Sequence, residues 1–186
     1  MELIPPLEIG LLNGWIMVGL ICLTEGICFA AFPKDVVARL FDRSGWGKTQ
    51  ILFTVMGKVF SLACLVLLVL TPLKIGSSAF AVGTILFALG LAGLIAALLD
   101  FKTTPPGQPV TTGLYKISRH PQLFTLFIAF LGACIAIGSW FALVMLITSR
   151  ALQHYGLLAE EEVCLKQYGD SYRAYMERVP RYFLFL

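Results

Sequence analysis

Long apolar runs alternate with short polar ones along this chain, and the runs have the length of membrane spans. Five qualify: roughly Ile9–Phe32, Ile51–Thr71, Ser78–Leu99, Gln122–Gly138 and Trp140–Leu158. A helix rises about 1.5 Å per residue, so about 20 residues cross a hydrocarbon core of about 30 Å. The last two runs are short and meet at Gly138-Ser139, which predicts a tight helical hairpin. The first run lacks a basic leader and is too long for a signal-peptide core, so no cleavable signal peptide is expected. The pattern predicts an all-α integral membrane protein of five transmembrane helices. It adds a C-terminal helical hairpin, an interfacial helix after the first span and a cytoplasmic helical tail.

The polar segments carry their own periodicity. After Pro33, Val36, Val37, Leu40 and Phe41 recur at helical spacing opposite Lys34, Asp35, Arg39 and Arg43. This predicts a short helix lying in the interface, with Trp46 as its anchor. The loop Thr103–Gly113 is dense in Thr, Pro and Gly, so it is expected to be extended chain over the cytoplasmic mouth. In the tail, Gly169 reads as a helix stop and Asp170 as the N-cap of a short helix. Tyr168, Tyr172, Tyr175 and Val179 give that helix an apolar stripe with a packing role.

Composition agrees with the spans: 58% of residues are hydrophobic and the mean hydropathy is +0.84, well above the share of about half in soluble domains. Charge then orients them. With the N-terminus outside, the cytoplasmic side holds Lys34, Arg39, Arg43, Lys48, Lys102, Lys116, Arg119, Arg150, Lys166, Arg173, Arg178 and Arg181. Of the 14 basic residues only Lys74 lies outside and Lys58 within a span. The bias fits the positive-inside rule, so the net charge of +3 reflects topology and not nucleic-acid binding. The five cysteines form no CxxC pair and read as small apolar packing residues, and no Cys/His cluster predicts a metal.

Charges inside spans are costly and mark candidate sites. Glu25 and Lys58 each lie seven residues from the cytoplasmic end of their spans, about 10 Å deep, which predicts a structural ion pair. On the fifth span, Arg150, Gln153, His154, Leu157 and Glu161 share one helical face, leading to the acids Glu160, Glu161 and Glu162 at the cytoplasmic rim. The run Gly113-Leu-Tyr115-Lys-Ile-Ser-Arg119-His120-Pro121 re-enters the membrane at the same rim. Pro121 can open a helix, whose free N–H groups with Arg119 would seat a carboxylate or phosphate. The same run also suits a basic loop gripping lipid head groups. The expected result is one cavity, open to the cytoplasm, ringed by acids, two histidines and an arginine.

These residues carry a resemblance. Gly113-x-Tyr115-x-x-x-Arg119-His120-Pro121, then Glu160-Glu161, then Tyr168-Gly169-x-x-Tyr172-x-x-Tyr175-x-x-x-Val179-Pro180-Arg181 resembles the isoprenylcysteine carboxyl methyltransferase and phospholipid methyltransferase superfamily. The Thr-Pro-Pro-Gly-x-Pro-Val run before it resembles prokaryotic members, which implies an inner-membrane location. The likeness spans roughly residues 100–181. It departs at Leu123 and Thr125, where the family usually has tyrosine and glycine, and at Ala159, where many relatives have arginine.

The resemblance implies S-adenosylmethionine as methyl donor, bound by Tyr115, Arg119, His120, Pro121, Glu160 and Glu161. His154, Arg150 and Glu161 are the expected catalytic residues. The acceptor would be an isoprenylated thiol or carboxylate, a phospholipid amine, or a small hydrophobic thiol, taken sideways from the bilayer. One membrane domain, 1–186, is expected: a three-helix part at 1–99, then at 100–186 the cofactor-binding loop, hairpin and tail. A nicotinamide-dependent membrane reductase and a non-catalytic scaffold are the alternative readings.

Overall fold

The computed structural model describes residues 1–183 and is all-helical, with no strand among the described residues. Seven α-helices follow in order: α1 Trp15–Ala31, α2 Lys34–Phe41, α3 Lys48–Leu70, α4 Ser78–Thr103, α5 Pro121–Ala136, α6 Trp140–Tyr168 and α7 Asp170–Arg178. A single 3-10 turn, Gly113–Lys116, interrupts the loop before α5. Three of these, α3, α4 and α6, are long and apolar enough to cross a membrane; α1 and α5 are shorter apolar helices.

The first apolar run becomes helix only from Trp15, later than its hydropathy predicts. Its opening residues cover the ends of the other helices instead. Asn13 is buried and donates from Nδ2 to the Glu8 carbonyl at 2.6 Å and to the Val69 carbonyl at 3.2 Å. Gly14 N–H bonds the Thr71 carbonyl at 3.0 Å, and Glu2 pairs with Lys74 at 2.7 Å. These contacts satisfy backbone groups that a helix would otherwise have to satisfy.

Small residues set the helix spacing. Gly83 and Gly90 of α4 face Gly132, Ala136 and Ala129 of α5, so these glycines serve packing within the chain. A Cβ added at Gly90 would lie 2.8 Å from the Thr125 carbonyl oxygen, and only hydrogen fits there. On the other side, Ser61 of α3 meets Ser149 of α6 at 2.6 Å, and Gln153 donates to both, at 3.0 and 2.7 Å. Around these pairs lies one core that includes Ile21, Leu68, Phe87, Ala133, Ile137 and Leu146. Cys64 and Cys134 belong to it, with sulfurs 3.7 Å apart, whereas Cys22 is exposed.

One expected pairing fails. Glu25 and Lys58 form no ion pair: Lys58 is exposed, and the C-terminal half of α1 packs towards Leu94 and Leu98 of α4. Trp46, expected beside the interfacial helix, packs its ring over Gly156 of α6. The helix itself, α2, forms as its periodicity predicts. It buries Val36 against Leu94 and Leu98, while Arg39 donates to the Thr104 carbonyl at 3.3 Å and lies 5.0 Å from the Phe101 ring centroid. Gly169 takes φ +57° between α6 and α7 and is itself the N-cap, which moves Asp170 into the first turn.

Candidate active site

The site forms where α5 begins. His120 is the residue before the helix and Pro121 its first member, with no N–H to leave unsatisfied. Ser118 fixes the approach. Fully buried, it donates to the Arg181 carbonyl at 3.0 Å and accepts the His120 N–H at 3.2 Å. Arg119 N–H bonds the Pro180 carbonyl at 3.0 Å, so the loop and residues 180–181 are held together. Tyr175 adds a bond from its hydroxyl to the Tyr115 carbonyl at 2.7 Å. Burial pushes the phenols of Tyr115, Tyr172 and Tyr175 well above the ordinary tyrosine value, so all three remain neutral.

Glu161 is the centre of the charge network, only 4% exposed. Arg181 grips its carboxylate with two bonds, Nε to Oε1 at 3.0 Å and Nη2 to Oε2 at 2.6 Å. His120 Nε2 lies 3.2 Å and Arg119 Nε 3.4 Å from Oε1. The other ring nitrogen of His120 lies 3.6 Å from Glu160, whose carboxylate is half-exposed. The bond with Glu161 also raises the Arg181 pKa above its ordinary value.

Beside this network is a cavity of about 310 Å³ whose lining includes Tyr115, Arg119, His120, Gln122, Glu160 and Tyr172. That volume lies at the small end of the range for small-molecule pockets, about 300–1,000 Å³. Neither Nε nor Nη1 of Arg119 makes a hydrogen bond among the described residues, and neither does Nε2 of Gln122. Buried donors without acceptors are costly. Such a wall recognises an anion, and half-exposed Glu160 offers a negative counterpart in the same space. The cavity therefore suits a small zwitterion.

A second space opens between α5 and α6. It is a groove of about 720 Å³ whose mostly apolar wall includes Leu123, Phe124, Phe127, Ile147 and Leu157, with Arg150, His154 and Tyr182 as its polar members. Among the described residues, Leu123 alone lines both spaces. The expected single cavity is thus two, and the face of α6 is divided between them. Arg150 and His154 line the groove, Glu160 the cavity, and Gln153 turns to α3.

Of the residues expected to meet, Tyr115, Arg119, His120 and Glu160 line one cavity. Pro121 is buried and shapes the turn, while Glu161 lines neither space and sits under the network. Thr125 belongs to packing: its methyl fills the room beside Gly93. Sequence reasoning gave Arg181, Tyr182, Ser118 and Gln122 no role. Arg181 stood in the recognised motif, but a contact between residues 161 and 181 depends on where α7 turns back, which no local periodicity encodes.

The family model for phospholipid methyltransferases matches residues 69–171, more than half of the chain. The chain belongs to the phospholipid methyltransferase family. The matched stretch carries α4, the loop, α5 and α6, and so all of the cavity-lining positions named above except Tyr172. Arg181 and Tyr182 lie beyond it. No curated protein and no solved structure matches the chain. The helices long enough to cross a bilayer and the family together make this a membrane methyltransferase.

Proposed function

We propose that this methyltransferase uses S-adenosylmethionine, bound in the polar cavity, and methylates an amphiphilic acceptor that enters the groove from the bilayer. One observation supports the reading: among the described residues, a cavity with charged walls and an apolar groove share one lining residue, Leu123. A charged donor and a lipid-like acceptor need spaces of opposite character that meet at a point.

The residues fit the donor's amino-acid end. Unpaired donors on Arg119 and Gln122 suit its carboxylate, and Glu160 suits its ammonium or ribose hydroxyls. When bound, S-adenosylmethionine supplies a methyl group on a cationic sulfur. The chain's contribution is alignment at Leu123, and no protein nucleophile is needed. With the hydrogen on His154 Nδ1, donated to the Tyr182 hydroxyl 2.7 Å away, Nε2 is free to accept a proton from the acceptor where one must be lost. Glu161 holds His120 and Arg119 in place and is a positioning residue in this reading.

The same reading places α1, α3, α4, α5 and α6 across the bilayer with the N-terminus outside. It rests on the asymmetry of Lys and Arg and on the exposed apolar side chains of α1, α3 and α6, such as Leu23, Val59 and Ile147. Residues 1–99 supply most of the membrane frame, with Arg39, Leu40, Asp42 and Trp46 adding to the cavity wall, and residues from 100 onward supply the rest of the site.

Titration calorimetry on the detergent-purified protein tests the donor. S-adenosylmethionine and its demethylated product should bind, a nicotinamide dinucleotide should not, and Arg119→Gln should weaken binding by about tenfold, the worth of one charged hydrogen bond. Binding of the dinucleotide alone, or of none of the three, ends the proposal.

A further inference from the structure

Asp100 stands where a helix least tolerates an acid. It is the fourth residue from the end of α4, and the dipole of a helix opposes a carboxylate near its last carbonyls. Among the described residues it makes no ion pair. Lys102, close by in sequence, turns instead to the Phe32 ring, 5.0 Å from its centroid. The carboxylate meets the far end of the loop that follows α4: Oδ2 accepts the Leu114 N–H at 2.8 Å. Gly113 lies against the same carboxylate at φ +56°, so a Cβ there would be strained and would strike both oxygens. The main chain of Asp100 holds the near end, since its carbonyl accepts the hydroxyls of Thr103 and Thr104, each at 3.1 Å. The loop that lines the cavity with Gly107, Pro109 and Val110 thus leaves and returns at one residue.

Leu114 passes this constraint to the site. Its carbonyl accepts the N–H groups of Ile117 and Ser118, both at 3.2 Å, and Ser118 in turn accepts the His120 N–H at 3.2 Å. Arg119, with its unpaired donors, lies between those two residues. The other hydrogen bonds of the turn named above, from Tyr175 and to the Arg181 carbonyl, tie it to the tail. Asp100 ties it to α4, which is packed on α5 through Gly83 and Gly90. We propose that Asp100 is a positioning residue for the methyl donor: by clasping Gly113 and Leu114 it sets where Tyr115 and Arg119 enter the cavity. The inference rests on reading that cavity as the donor's site. Asp100 does not line the cavity, so it acts through Leu114 and not by touching the donor. A wall already ordered in the free protein spares the donor the cost of ordering it on binding.

Two measurements on the full chain in detergent test the clasp, each at a temperature where the unfolding curve shows the variant folded. The first is calorimetric titration with S-adenosylmethionine. Asp100→Ala and Gly113→Ala break the clasp from opposite sides, and each should weaken binding by at least about tenfold, so either one decides the matter if the other does not fold. Asp100→Asn keeps a carbonyl that can accept the Leu114 N–H and should stay within about threefold of wild type. The second is amide hydrogen exchange across residues 113–120 without ligand, which should be faster in the two alanine variants and unchanged in Asp100→Asn. Alanine variants that bind the donor as tightly as a wild type that does bind it overturn this proposal alone. So does an Asp100→Asn chain that binds as weakly as Asp100→Ala while its exchange matches wild type, because the charge and not the clasp would then be at work. A wild type that binds no donor ends the donor reading, and this proposal with it.

Discussion

Replacing Glu161 separates a structural keystone from an ordinary surface acid. Its carboxylate accepts two bonds from Arg181, at 3.0 and 2.6 Å, and lies 3.2 Å from His120 Nε2. Hydrogen bonds to charged groups contribute about 1.5–3 kcal/mol each, and removing one partner of a buried pair costs about 3–5 kcal/mol. Arg181 is 24% exposed, so water recovers part of its loss and the lower end of that range applies. Glu161→Gln keeps one carbonyl oxygen but loses the charge that holds Arg181, His120 and Arg119 together. The expected loss is about 3 kcal/mol, a fall in Tm of roughly 6–12 °C for a chain of this size. Arg181→Gln should cost less, because Arg119 and His120 remain near the carboxylate.

The decisive measurement is the double variant. In a cycle of Glu161→Gln, Arg181→Gln and their combination, followed by thermal unfolding in one detergent, the two changes should be sub-additive by about 1–3 kcal/mol. Donor affinity should fall in Glu161→Gln as well, since the loop that carries Arg119 loses its tether. Additive effects, or a Glu161→Gln chain as stable as the wild type, would refute the keystone argument.

Other positions separate packing from binding. Gly90→Leu should disrupt the contact of α4 with α5, seen as reduced yield of monodisperse protein and a lower Tm, because overpacking costs at least about 1–3 kcal/mol even where neighbours can move. Arg119→Gln should drop donor affinity about tenfold, because its Nη1 has no protein acceptor, and should lower Tm by less than Glu161→Gln does, because Arg181 and His120 remain on the Glu161 carboxylate. Tyr175→Phe removes the bond to the Tyr115 carbonyl and should cost about 1 kcal/mol, read in the same unfolding assay. Leu123→Trp should weaken donor binding and block methyl transfer into a lipid extract, because the bulk fills the wall shared by both spaces.

Periodicity made most of the helices legible and left the contacts between them unread. The amphipathic spacing of Val36, Val37 and Leu40 located α2, and Gly169 marked the break before α7. The first run was misjudged because hydropathy cannot tell a helix from an extended segment whose backbone is satisfied by other helix ends, as Asn13 and Gly14 are. At the site, motif residues separated by a few positions, such as Arg119 and His120, could be grouped from sequence. Residues on one helical face were grouped too readily: Gln153 shares that face with His154 yet bonds Ser61 of α3, together with Ser149 one turn back on its own helix. A face only about 100° wide can touch two neighbours, and which residue meets which depends on crossing geometry. The pairing of Glu25 with Lys58 failed for the same reason, since equal depth says nothing of azimuth.

The unequal lengths of the hairpin's two helices account for the site's position. Helix α5 has 16 residues and α6 has 29, so at about 1.5 Å per residue they measure about 24 and 44 Å. Both start or end at the same turn near Gly138, so α6 runs on past the beginning of α5 by several turns. The shorter helix leaves a recess at its N-terminal end, lined by His120, Gln122 and Leu123. The overhanging end of α6 brings Glu160 and Glu161 over that recess, and α7 folds Arg181 back beneath them. A cavity that needs a helix N-terminus, a buried guanidinium and a carboxylate within a few ångströms thus follows from one short helix beside a long one. The groove beside it has another origin: Ile147, Arg150 and His154 lie within the part of α6 that is level with α5, and they stay open because α5 packs its small residues on α4 instead. Lengthening α5 by one helical turn ahead of Pro121 should therefore abolish donor binding while preserving the α4–α5 packing. A lengthened chain that still bound the donor would show that the recess owes nothing to the mismatch.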